Sequence, residues 1–562
     1  MLQVVAAGPV EKPLSSIGEA ARNRAHERGG RCRQASMWLE RGVRTVCPIC
    51  VSCPPRWIMT ADVTALPTIQ LFDTMSGTRR ALVPVKPGHV GLYVCGVTVY
   101  DLTHIGHARV FLSFDFITRY LRHRGYEVTY VRNHTDVDDK IIKRANERNM
   151  DPIALAEEFI EALDSDMGRL GILKPTVEPR VSTHMPQIVG LVETLVEKGH
   201  AYAVEGDVYY AVDSFPEYGK LSGTKIEDLR AGERVAIDER KKNPADFALW
   251  KSAKPGEPTW ASPWGPGRPG WHIECSAMSH THLGAHFDIH GGGKDLVFPH
   301  HENEIAQSEG AHGGCYAANW MHIGLVNVDG EKMSKSLGNF WTVRDVLENF
   351  HPQAIRYFML SAHYRKPISY SQTNLELAGQ RADYLYRTRL QLQSLLASLP
   401  EVPAADTVYT KPLFDGLYAG MDDDFNSPVA LAVIADAARK TNELLVTKKL
   451  GKRLDVQAQL VALGAFFDAV KGIFGLLEGD LASTIADLRA LQARRLEIDT
   501  DEVARLLVER TNARAAKDYV AADEVRKKLA DMHVDVMDTP EGTDWRIVSP
   551  LLESEGELSV EE

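Results

Sequence analysis

Long apolar runs are absent from this sequence. No stretch reaches the roughly 18 consecutive apolar residues that a membrane-spanning helix needs, so we expect no span and no membrane partner. The apolar and charged fractions, 44% and 25%, are those of an ordinary globular protein. At 562 residues the chain is long enough for three or four domains, each with its own core.

Cysteine is also scarce, and its seven copies are scattered along the chain. This excludes a disulfide framework and indicates a reducing, cytoplasmic setting in which thiols serve metal binding or packing. An excess of positive charge is missing as well, since the formal net charge is −12. Indiscriminate nucleic-acid binding is therefore not expected, because neutralising phosphates needs clustered Lys and Arg. An RNA partner that docks on a local basic strip stays open.

Residues 1–58 differ from the rest in holding nine Lys and Arg against four Glu and no Asp. Cys47, Cys50 and Cys53 have metal-like spacing, but no second pair of ligands follows them. We predict a disordered extension over residues 1–67, or translation from upstream of a true start at Met59. A small zinc or nucleic-acid arm is the alternative. A targeting peptide is disfavoured by the four glutamates.

A βαβ unit is the first recognisable element of fold. Residues 92–95 predict a strand, residues 110–122 carry apolar side chains at helical spacing, and residues 126–131 predict the next strand. Such a unit indicates an α/β fold with a doubly wound parallel sheet, whose site lies at the carboxyl ends of the strands. The sheet is predicted to resume at residues 287–290.

Two motifs carry chemistry for a nucleotide. His104-Ile105-Gly106-His107 stands at the opening of the predicted helix, where imidazoles and backbone N–H groups can meet phosphates and Gly106 leaves room for adenine. Lys332-Met333-Ser334-Lys335-Ser336 follows the resumed sheet and can offset charge on a departing pyrophosphate. Taken alone, each motif also fits ordinary surface histidines or a solvated turn.

A possible metal site combines Cys95, Cys275, His300 and Glu304, which come from separate segments that a nucleotide fold brings together. His300 and Glu304 are four residues apart behind Pro299, which places both on one side of a predicted first helical turn. Thiolate and imidazole ligands favour zinc. The residues leave alternatives open: Cys275 as plain core, His301 in place of His300, and Glu302 in place of Glu304.

Both nucleotide motifs are similar to the signatures of class I aminoacyl-tRNA synthetases. Three further stretches resemble the cysteinyl-tRNA synthetase family: Tyr93-Val94-Cys95-Gly96, Gly270-Trp271-His272-Ile273-Glu274-Cys275 and Pro299-His300-His301-Glu302-Asn303-Glu304. The likeness to this family runs from about residue 68 to about residue 547. The resemblance implies that the substrate's own sulfur joins a zinc ion held by the four predicted ligands. One zinc ion per chain and ATP with Mg²⁺ are therefore the expected cofactors.

The resemblance also implies roles for individual residues. His104, His107, Lys332 and Lys335 are the expected catalytic residues. The expected contacts to ATP and cysteine come from Gly96, Thr98, Gly106, Thr135, Trp271, Asp295 and, again, Lys335. His134 departs from the small apolar residues that are common beside that threonine in the family. Asp136, Asp138 and Asp139 fit helix caps equally well.

The resemblance divides the chain into seven parts. After the extension come residues 68–150 as the first half of a Rossmann-like catalytic domain and 264–328 as the second half with the zinc site. Between them lies a connective insertion at 151–263, whose pattern predicts helices followed by irregular chain. Residues 329–375 hold the lysine loop and a stem-contact region. A helix bundle at 376–490 and a helix-plus-hairpin anticodon-binding domain at 491–562 complete the chain.

The C-terminal domain is the predicted RNA contact. Arg510, Arg514 and Lys517 are spaced to share one helix face, and Tyr519 offers a ring for an unstacked base. A salt-bridged, solvated face is the simpler interpretation of the same pattern. The resemblance implies tRNA contacts by Arg510, Arg514, Tyr519, Asp538 and Trp545. Tyr519 replaces a larger aromatic residue of some family members.

The implied activity is that of a cysteine–tRNA ligase, which forms cysteinyl-adenylate from L-cysteine and ATP and transfers the cysteinyl group to the 3′ end of tRNA(Cys). A cytoplasmic monomer is expected. Two rivals stay open: a ligase of the same fold that joins cysteine to an amino sugar in mycothiol synthesis, and a non-catalytic zinc and RNA-binding relative. A persulfide-forming side activity that uses Lys140 or Lys143 is a further family possibility.

Overall fold

A computed structural model describes residues 66–225, 239–328, 331–332, 340–539 and 542–548, with the backbone alone at 331–332, 539 and 542. The predictions for residues 1–65 lie outside these ranges. The described chain opens with an antiparallel hairpin of β1 (Gln70–Asp73) and β2 (Thr78–Ala81). The hairpin is tied to the catalytic sheet, because the buried Asp73 accepts a hydrogen bond from the backbone N–H of Trp320 at 2.9 Å.

The catalytic sheet is parallel throughout and has four strands in the order β10–β9–β3–β4. Their bounds are β3 (His89–Val94), β4 (Glu127–Arg132), β9 (Phe287–Gly293) and β10 (Ala317–Ile323). Each half of the fold winds outward from the centre, where β3 and β9 are neighbours. The strand order therefore reverses between them, and a ligand crevice is expected beyond their carboxyl ends.

Helix α1 (Ile105–His123) connects β3 to β4, as the apolar spacing predicts. It begins after His104, whose side chain caps the first turn, and basic residues Arg122 and His123 occupy its last turn. The chain then turns at Gly125, whose φ of +94° suits glycine. In the second half, α5 (Trp271–Leu283) precedes β9, and α6 (Glu302–His312) links β9 to β10. These helices carry most of the predicted site residues.

The insertion between the halves is more regular than the sequence indicated. It contains α2 (Asp139–Arg148), α3 (Pro152–Arg169) and α4 (Met185–Glu197). An antiparallel sheet follows, made of β5 (Ala201–Val204), β6 (Asp207–Tyr210), β7 (Phe247–Ser252) and β8 (Gly267–Pro269). Our expectation of helices followed by irregular chain was wrong for this sheet. The signal that we missed is the Glu205-Gly206 pair, whose φ values of +50° and +88° make a two-residue hairpin turn.

Beyond the catalytic sheet the chain forms a small sheet of β11 (Val326–Val328), β12 (Glu331–Lys332) and β13 (Ile368–Tyr370). Helices α7 (Val343–Asn349) and α8 (Pro352–Leu360) lie between its last two strands in sequence. The helix bundle is built from α9 (Gln372–Ser398), α10 (Thr407–Asp422), α11 (Ser427–Leu445), α12 (Leu454–Phe474) and α13 (Leu481–Arg495). Its core is continuous with that of α1 and the catalytic sheet.

Within the described residues, α12 is the one helix long and apolar enough to cross a membrane by length and composition. Of its most apolar window, 56% is buried inside the protein. Phe466, Phe467, Val470 and Ile473 of this helix have no exposed surface. Its apolar character is therefore accounted for by packing in the bundle core.

The C-terminal module contains α14 (Thr500–Ala515), α15 (Tyr519–Asp531) and a hairpin of β14 (Val534–Thr539) and β15 (Gly542–Ile547). It has a small core of its own, formed by Val503, Leu506, Val525, Leu529, Val534 and Val536. Lys517 lies in the turn after α14, with φ of +62°, and not on the helix. Our assignment of Lys517 to one helix face with Arg510 and Arg514 was therefore wrong.

A buried arginine joins the catalytic domain to the bundle. Arg356 of α8 has no exposed side-chain surface and donates to Asp115 at 2.8 Å and to the carbonyl of Phe474 at 2.9 Å. It also donates to the carbonyls of Leu170 and Gly171 at 3.0 and 2.7 Å. One side chain thus satisfies groups from three other segments of the chain.

Replacing Arg356 with Met is predicted to destabilise the fold strongly. Removing one member of a buried ion pair costs about 3–5 kcal/mol, because the remaining charge and carbonyls lose their partner. Thermal unfolding followed by circular dichroism measures the drop in midpoint. Arg439→Ala is the matched control, since this exposed arginine pairs with Asp436 and Glu443 on the surface of α11 and should leave the midpoint unchanged. Equal midpoints for both variants would contradict this account.

Candidate metal centre and nucleotide cavity

The structure brings together all four side chains that the sequence predicts as metal ligands. Cys95 directly follows β3 and Cys275 lies on α5, while His300 lies in the turn before α6 and Glu304 lies in the first turn of that helix. One ligand atom from each of the four lies within 4.8 Å of the others, and all four residues are buried. The two Sγ atoms are 3.8 Å apart, Cys95 Sγ is 3.4 Å from Glu304 Oε1, and His300 Nε2 is 3.1 Å from the same oxygen.

The approach of His300 differs from our expectation in one respect. Helix α6 begins at Glu302, and His300 lies before it in a π-helical turn spanning Val297–His301. The two side chains therefore do not share a first helical turn behind Pro299. They converge because the turn places His300 on the same side as Glu304. His272 contacts this imidazole, with its Nδ1 3.0 Å from His300 Nδ1.

The ionisable side chains of the cluster shift one another's pKa values. Contact with the Cys95 thiol lowers the pKa of Cys275 to about 6, whereas burial raises the pKa of Cys95. Burial alone would raise the pKa of Glu304, but His290 and His300 hold it well below its ordinary value. Burial likewise opposes the charge on His300, yet Glu304 and Cys275 raise the pKa of His300 to about 10. At neutral pH the cluster thus holds a thiolate and a carboxylate beside a protonated His300, whose imidazole must release its proton to bind a cation.

A second group of potential ligands overlaps the first. It consists of Cys95, His290, His301 and Glu304, all buried. His301 Nε2 is 3.4 Å from Cys95 Sγ, and His290 Nε2 is 2.8 Å from Glu304 Oε2. The sequence left His301 open as a competitor of His300, and the structure places both beside Cys95. His290 was missed, because its position in a predicted buried strand hid its proximity to Glu304.

Glu302, the competitor of Glu304, is turned away from the cluster. Its carboxylate accepts hydrogen bonds from the backbone N–H groups of Gly219 at 3.0 Å, Leu221 at 3.2 Å and Ser222 at 2.8 Å. A carboxylate that is occupied by the insertion in this way is not available as a ligand. Glu304 is therefore the carboxylate of the cluster, whereas Glu302 holds the backbone of residues 219–222 in place.

A cavity of about 410 Å³ lies beside the cluster, beyond the carboxyl ends of β3 and β9. It is lined by five residues predicted to contact ATP and substrate, by both predicted catalytic histidines and by one predicted metal ligand: Gly96, Thr98, Gly106, Trp271 and Asp295, then His104 and His107, and Cys95. Trp271 is 38% exposed, and its ring centroid lies 4.3 Å from that of His300. It therefore forms a wall between the cavity and the metal cluster.

The hydrogen bonds of His104 indicate which ring nitrogen carries its proton. Its Nδ1 accepts hydrogen bonds from the backbone N–H groups of Gly106 at 3.1 Å and His107 at 3.3 Å. An accepting Nδ1 carries no proton, so the remaining proton is on Nε2 and can be donated. The rings of His104 and His107 are stacked with centroids 3.5 Å apart. This geometry supports a neutral imidazole that donates through Nε2.

Gly96 is required by close backbone approach. A Cβ atom at this position would lie 1.6 Å from the carbonyl oxygen of Asn133. The Asn133 side chain accepts from the Gly96 N–H at 2.9 Å, which fixes the turn between β3 and the cavity. Thr135 is buried, and its hydroxyl donates to Glu274 Oε2 at 3.3 Å. Glu274 and Asn133 are site neighbours that the sequence analysis did not single out.

The lysine motif is described only in part. The backbone of Lys332 belongs to β12, which pairs with β11. Its side chain and residues 333–339, which include Lys335, lie outside the described residues. The predicted roles of both lysines therefore stay predictions.

The predicted RNA contacts cluster on the C-terminal module. Arg510 donates to both carboxylate oxygens of Asp538 at 2.8 and 3.0 Å, and Arg514 pairs with the same carboxylate. These two arginines hold the pKa of Asp538 well below its ordinary value. Tyr519 is 64% exposed, whereas Trp545 is half-buried with Arg489 lying 4.6 Å above its ring. The module thus presents the exposed ring of Tyr519 and a cluster of paired charges.

Comparisons with known proteins agree with this geometry. The profile of the family described as "tRNA synthetases class I (C) catalytic domain" matches residues 81–380. The profile of the DALR domain matches residues 417–478, and that of the "Cysteinyl-tRNA ligase anticodon binding domain" matches residues 500–546.

A cysteine–tRNA ligase of Trichlorobacter lovleyi is 50% identical over 485 residues, which cover 85% of this chain and 99% of the relative. The chain belongs to the cysteine–tRNA ligase family. A chloroplastic/mitochondrial cysteine–tRNA ligase of Arabidopsis thaliana is also 50% identical, over 86% of each chain. The family predicted from the motifs is thereby confirmed.

Solved structures support the predicted fold class. Methionyl-tRNA synthetase of Mycobacterium tuberculosis bound by methionyl-adenylate has a TM-score of 0.52 at 16% identity, covering 69% of this chain and 92% of that chain. At this identity the likeness concerns the fold alone. The prediction of a class I, doubly wound catalytic domain followed by helical domains is confirmed.

Glu304→Gln is predicted to weaken divalent metal binding by more than about 100-fold, the upper range for loss of an outer partner of a metal ligand. Glu302→Gln is the matched control, because it removes a charge two residues away that binds only backbone N–H groups. It should keep the metal while lowering the thermal midpoint. Metal content after dialysis, measured by mass spectrometry, distinguishes the two. Full metal content in Glu304→Gln would show that the cluster does not bind the ion.

Proposed function

We propose that this chain is a cysteine–tRNA ligase that activates L-cysteine with ATP and transfers the cysteinyl group to the 3′ end of tRNA(Cys). The observation that supports it most directly is that the metal cluster and the nucleotide cavity share a boundary. Cys95 belongs to the cluster and lines the cavity, and Trp271 lines the cavity and packs against His300. An amino acid held by its sulfur at the cluster would have its carboxylate beside a nucleotide.

The donor set fits one zinc ion. Two thiols, an imidazole and a carboxylate are the ligand types that zinc prefers, and the lowered pKa of Cys275 favours its thiolate form. Cys95, Cys275, His300 and Glu304 are the proposed ligands. When bound, zinc supplies a soft cationic position that favours a substrate thiolate over a neutral hydroxyl.

The chain's own groups supply the activation step. The cavity adjoins the positive end of the α1 helix dipole, and the Nε2–H of His104 can donate to a phosphate oxygen as negative charge develops. We assign His107 the same kind of donation, and Lys332 and Lys335 the neutralisation of pyrophosphate. Mg²⁺ accompanies ATP in this proposal. All of these residues bind or orient groups that exist already, so catalysis is electrostatic and positional.

Substrate contacts are assigned on position. Gly96 and Thr98 permit close approach of the adenosine at the end of β3, and Gly106 does so at the start of α1. Asp295, at the rim of the cavity, is the proposed partner of a ribose hydroxyl or the substrate ammonium group. Trp271 forms the wall of the cavity next to His300, where the cysteine substrate would bind. For Thr135 we keep the substrate contact, with Glu274 as the group that orients its hydroxyl.

The C-terminal module is the proposed anticodon contact, through Arg510, Arg514, Tyr519, Asp538 and Trp545. The exposed ring of Tyr519 can stack on an unpaired base, while Asp538 holds both arginines in place. The match of residues 500–546 to an anticodon-binding domain favours this function over the amino-sugar ligase. A cytoplasmic monomer without a membrane partner completes the proposal.

The module is mounted on the bundle by ion pairs. Asp544 of β15 pairs with Arg387 of α9 and accepts from Arg489 of α13 at 3.2 Å. Arg387 also donates to the carbonyl of Trp545 at 3.3 Å. These contacts set the position of the hairpin relative to the bundle, and hence the distance between the anticodon contact and the active site.

The enzyme is predicted to discriminate against serine more strongly than shape alone allows. A pocket that separates such close analogues by shape reaches about 1–3 kcal/mol, or roughly 10–200-fold. Cysteine-dependent exchange of labelled pyrophosphate into ATP should exceed serine-dependent exchange by more than that in kcat/KM. Glu304→Gln should lose most of the advantage, because the sulfur then lacks its cation. Serine activation within 200-fold of cysteine activation in the wild type would rule out recognition through a metal.

Asp544→Asn is predicted to impair the transfer of cysteine to tRNA without impairing the activation of cysteine. Amino-acid activation should keep the wild-type rate, since the cavity and metal cluster are untouched, whereas kcat/KM for tRNA should fall about tenfold as the hairpin loses its fixed position. Asp535→Asn is the matched control, because Asp535 pairs with Arg546 inside the same hairpin. Aminoacylation and exchange assays on both variants decide the matter. Equal loss in the control would point to general damage to the hairpin.

A further inference from the structure

Phe340 is the residue at which the described chain resumes after the lysine motif, and its segment is fastened to the start of α1. The N–H of Ile105 donates to the carbonyl of Trp341 at 3.1 Å, and the N–H of Val343 donates to the carbonyl of Thr103 at 2.8 Å. Thr342 and Asp345 form a reciprocal capping box that starts α7. The backbone of 340–343 is therefore held in one place beside the cavity.

The ring of Phe340 meets the ring of His104 at a centroid distance of 5.2 Å and an interplanar angle of 76°. This is the edge-to-face arrangement that aromatic rings favour. The same imidazole stacks on His107 and accepts two backbone hydrogen bonds at Nδ1. The orientation of His104 is thus set by a cap, a stack and an edge contact, and the edge contact comes from a distant part of the chain.

Phe340 differs from its neighbour in the direction of its side chain. Phe340 lines the nucleotide cavity together with His104 and His107. Trp341 does not line the cavity; it is 39% exposed and packs on Tyr370, with centroids 5.9 Å apart. Of these two adjacent aromatic residues, Phe340 therefore faces the cavity and Trp341 faces away from it.

We propose that Phe340 is a positioning residue for His104. The Phe340 ring holds the His104 imidazole in its capping position, so that Nε2–H points into the cavity. This inference rests on the proposed function, in which His104 donates to a phosphate. Without the Phe340 ring, water can reach the imidazole and compete for Nδ1. The ring can then leave the cap, and the donor is no longer preorganised for the developing charge.

The test compares Phe340→Ala, Phe340→Leu and Phe340→Tyr in the full-length enzyme. In cysteine-dependent pyrophosphate exchange, the Ala and Leu variants should lose about tenfold in kcat, while the KM for cysteine stays within about twofold because the metal cluster is not contacted. Phe340→Tyr, which keeps the ring, should stay within about twofold of the wild type. Full activity of Phe340→Leu, or a Tyr variant as slow as the Ala variant, would overturn the proposal.

Trp341→Ala is the matched control, since it removes an adjacent aromatic ring without altering the backbone hydrogen bond to Ile105. It should keep the wild-type kcat. A loss equal to that of Phe340→Ala would mean that the segment needs aromatic bulk in general, and would overturn the specific role of Phe340.

A readout that does not depend on activity separates this inference from the proposed function. Long-range ¹H–¹⁵N spectra of the imidazoles report the tautomer of each histidine, with His104 assigned by the signal lost in His104→Gln. In Phe340→Ala the His104 signals should move away from the Nε2–H form, and in Trp341→Ala they should not. Unchanged His104 signals in Phe340→Ala overturn the inference even if the enzyme is active. A wild type without exchange activity but with the expected signals would overturn only the proposed function.

Discussion

A fully buried carboxylate, Glu304, is the constraint around which the active site is arranged. Burying an ionised carboxylate is very costly unless it is paired and hydrogen-bonded. Glu304 meets this requirement with His290 at 2.8 Å, Tyr316 at 3.1 Å and His300 at 3.1 Å. These partners come from β9, from the approach to β10 and from the turn before α6. The fold must therefore place all three segments correctly before the carboxylate can be charged.

The same arrangement explains why the two ligand-binding features adjoin. The sheet reverses its strand order between β3 and β9, and the crevice at that point opens beside Cys95 on one side and Asp295 on the other. Backbone caps and close approaches, at His104 and Gly96, shape the nucleotide side. Buried titratable side chains shape the metal side. In the proposed function, nucleotide binding thus relies mostly on main-chain geometry, and sulfur recognition on side-chain chemistry.

The helical domains are attached to this centre by charged groups at their junctions. Arg356 joins α8 to α1 and to the end of α12 through a buried ion pair and carbonyl contacts. Asp544 joins the C-terminal hairpin to α9 and α13. Ion pairs and hydrogen bonds have directional geometry that apolar contacts lack, so they set the angle between packed units as well as their separation. That angle matters to an enzyme that must hold two distant ends of one RNA.

Short-range patterns predicted much of the fold. The βαβ unit, the helical bundle and the C-terminal hairpin follow from periodicity and turn residues, and the motif spacing identified the family. The antiparallel sheet of the insertion was missed because its strands are short and a Gly and Pro-rich stretch obscured the alternation. Lys517 was misplaced because nothing in the spacing marks the end of α14. His290 was overlooked because a histidine in a buried strand shows no partner in sequence.

Residue identity and spacing, with the family resemblance that they carry, determined the family, the fold class and a set of candidate metal ligands in which His301 and Glu302 still competed with His300 and Glu304. Only the tertiary structure decided which neighbour does what: Glu304 enters the cluster while Glu302 binds the insertion, and His104 carries its proton on Nε2. The reason is physical. A side chain's pKa, tautomer and partner depend on atoms that the fold brings within about 4 Å, and Cys95 and Glu304 are 209 positions apart in the chain.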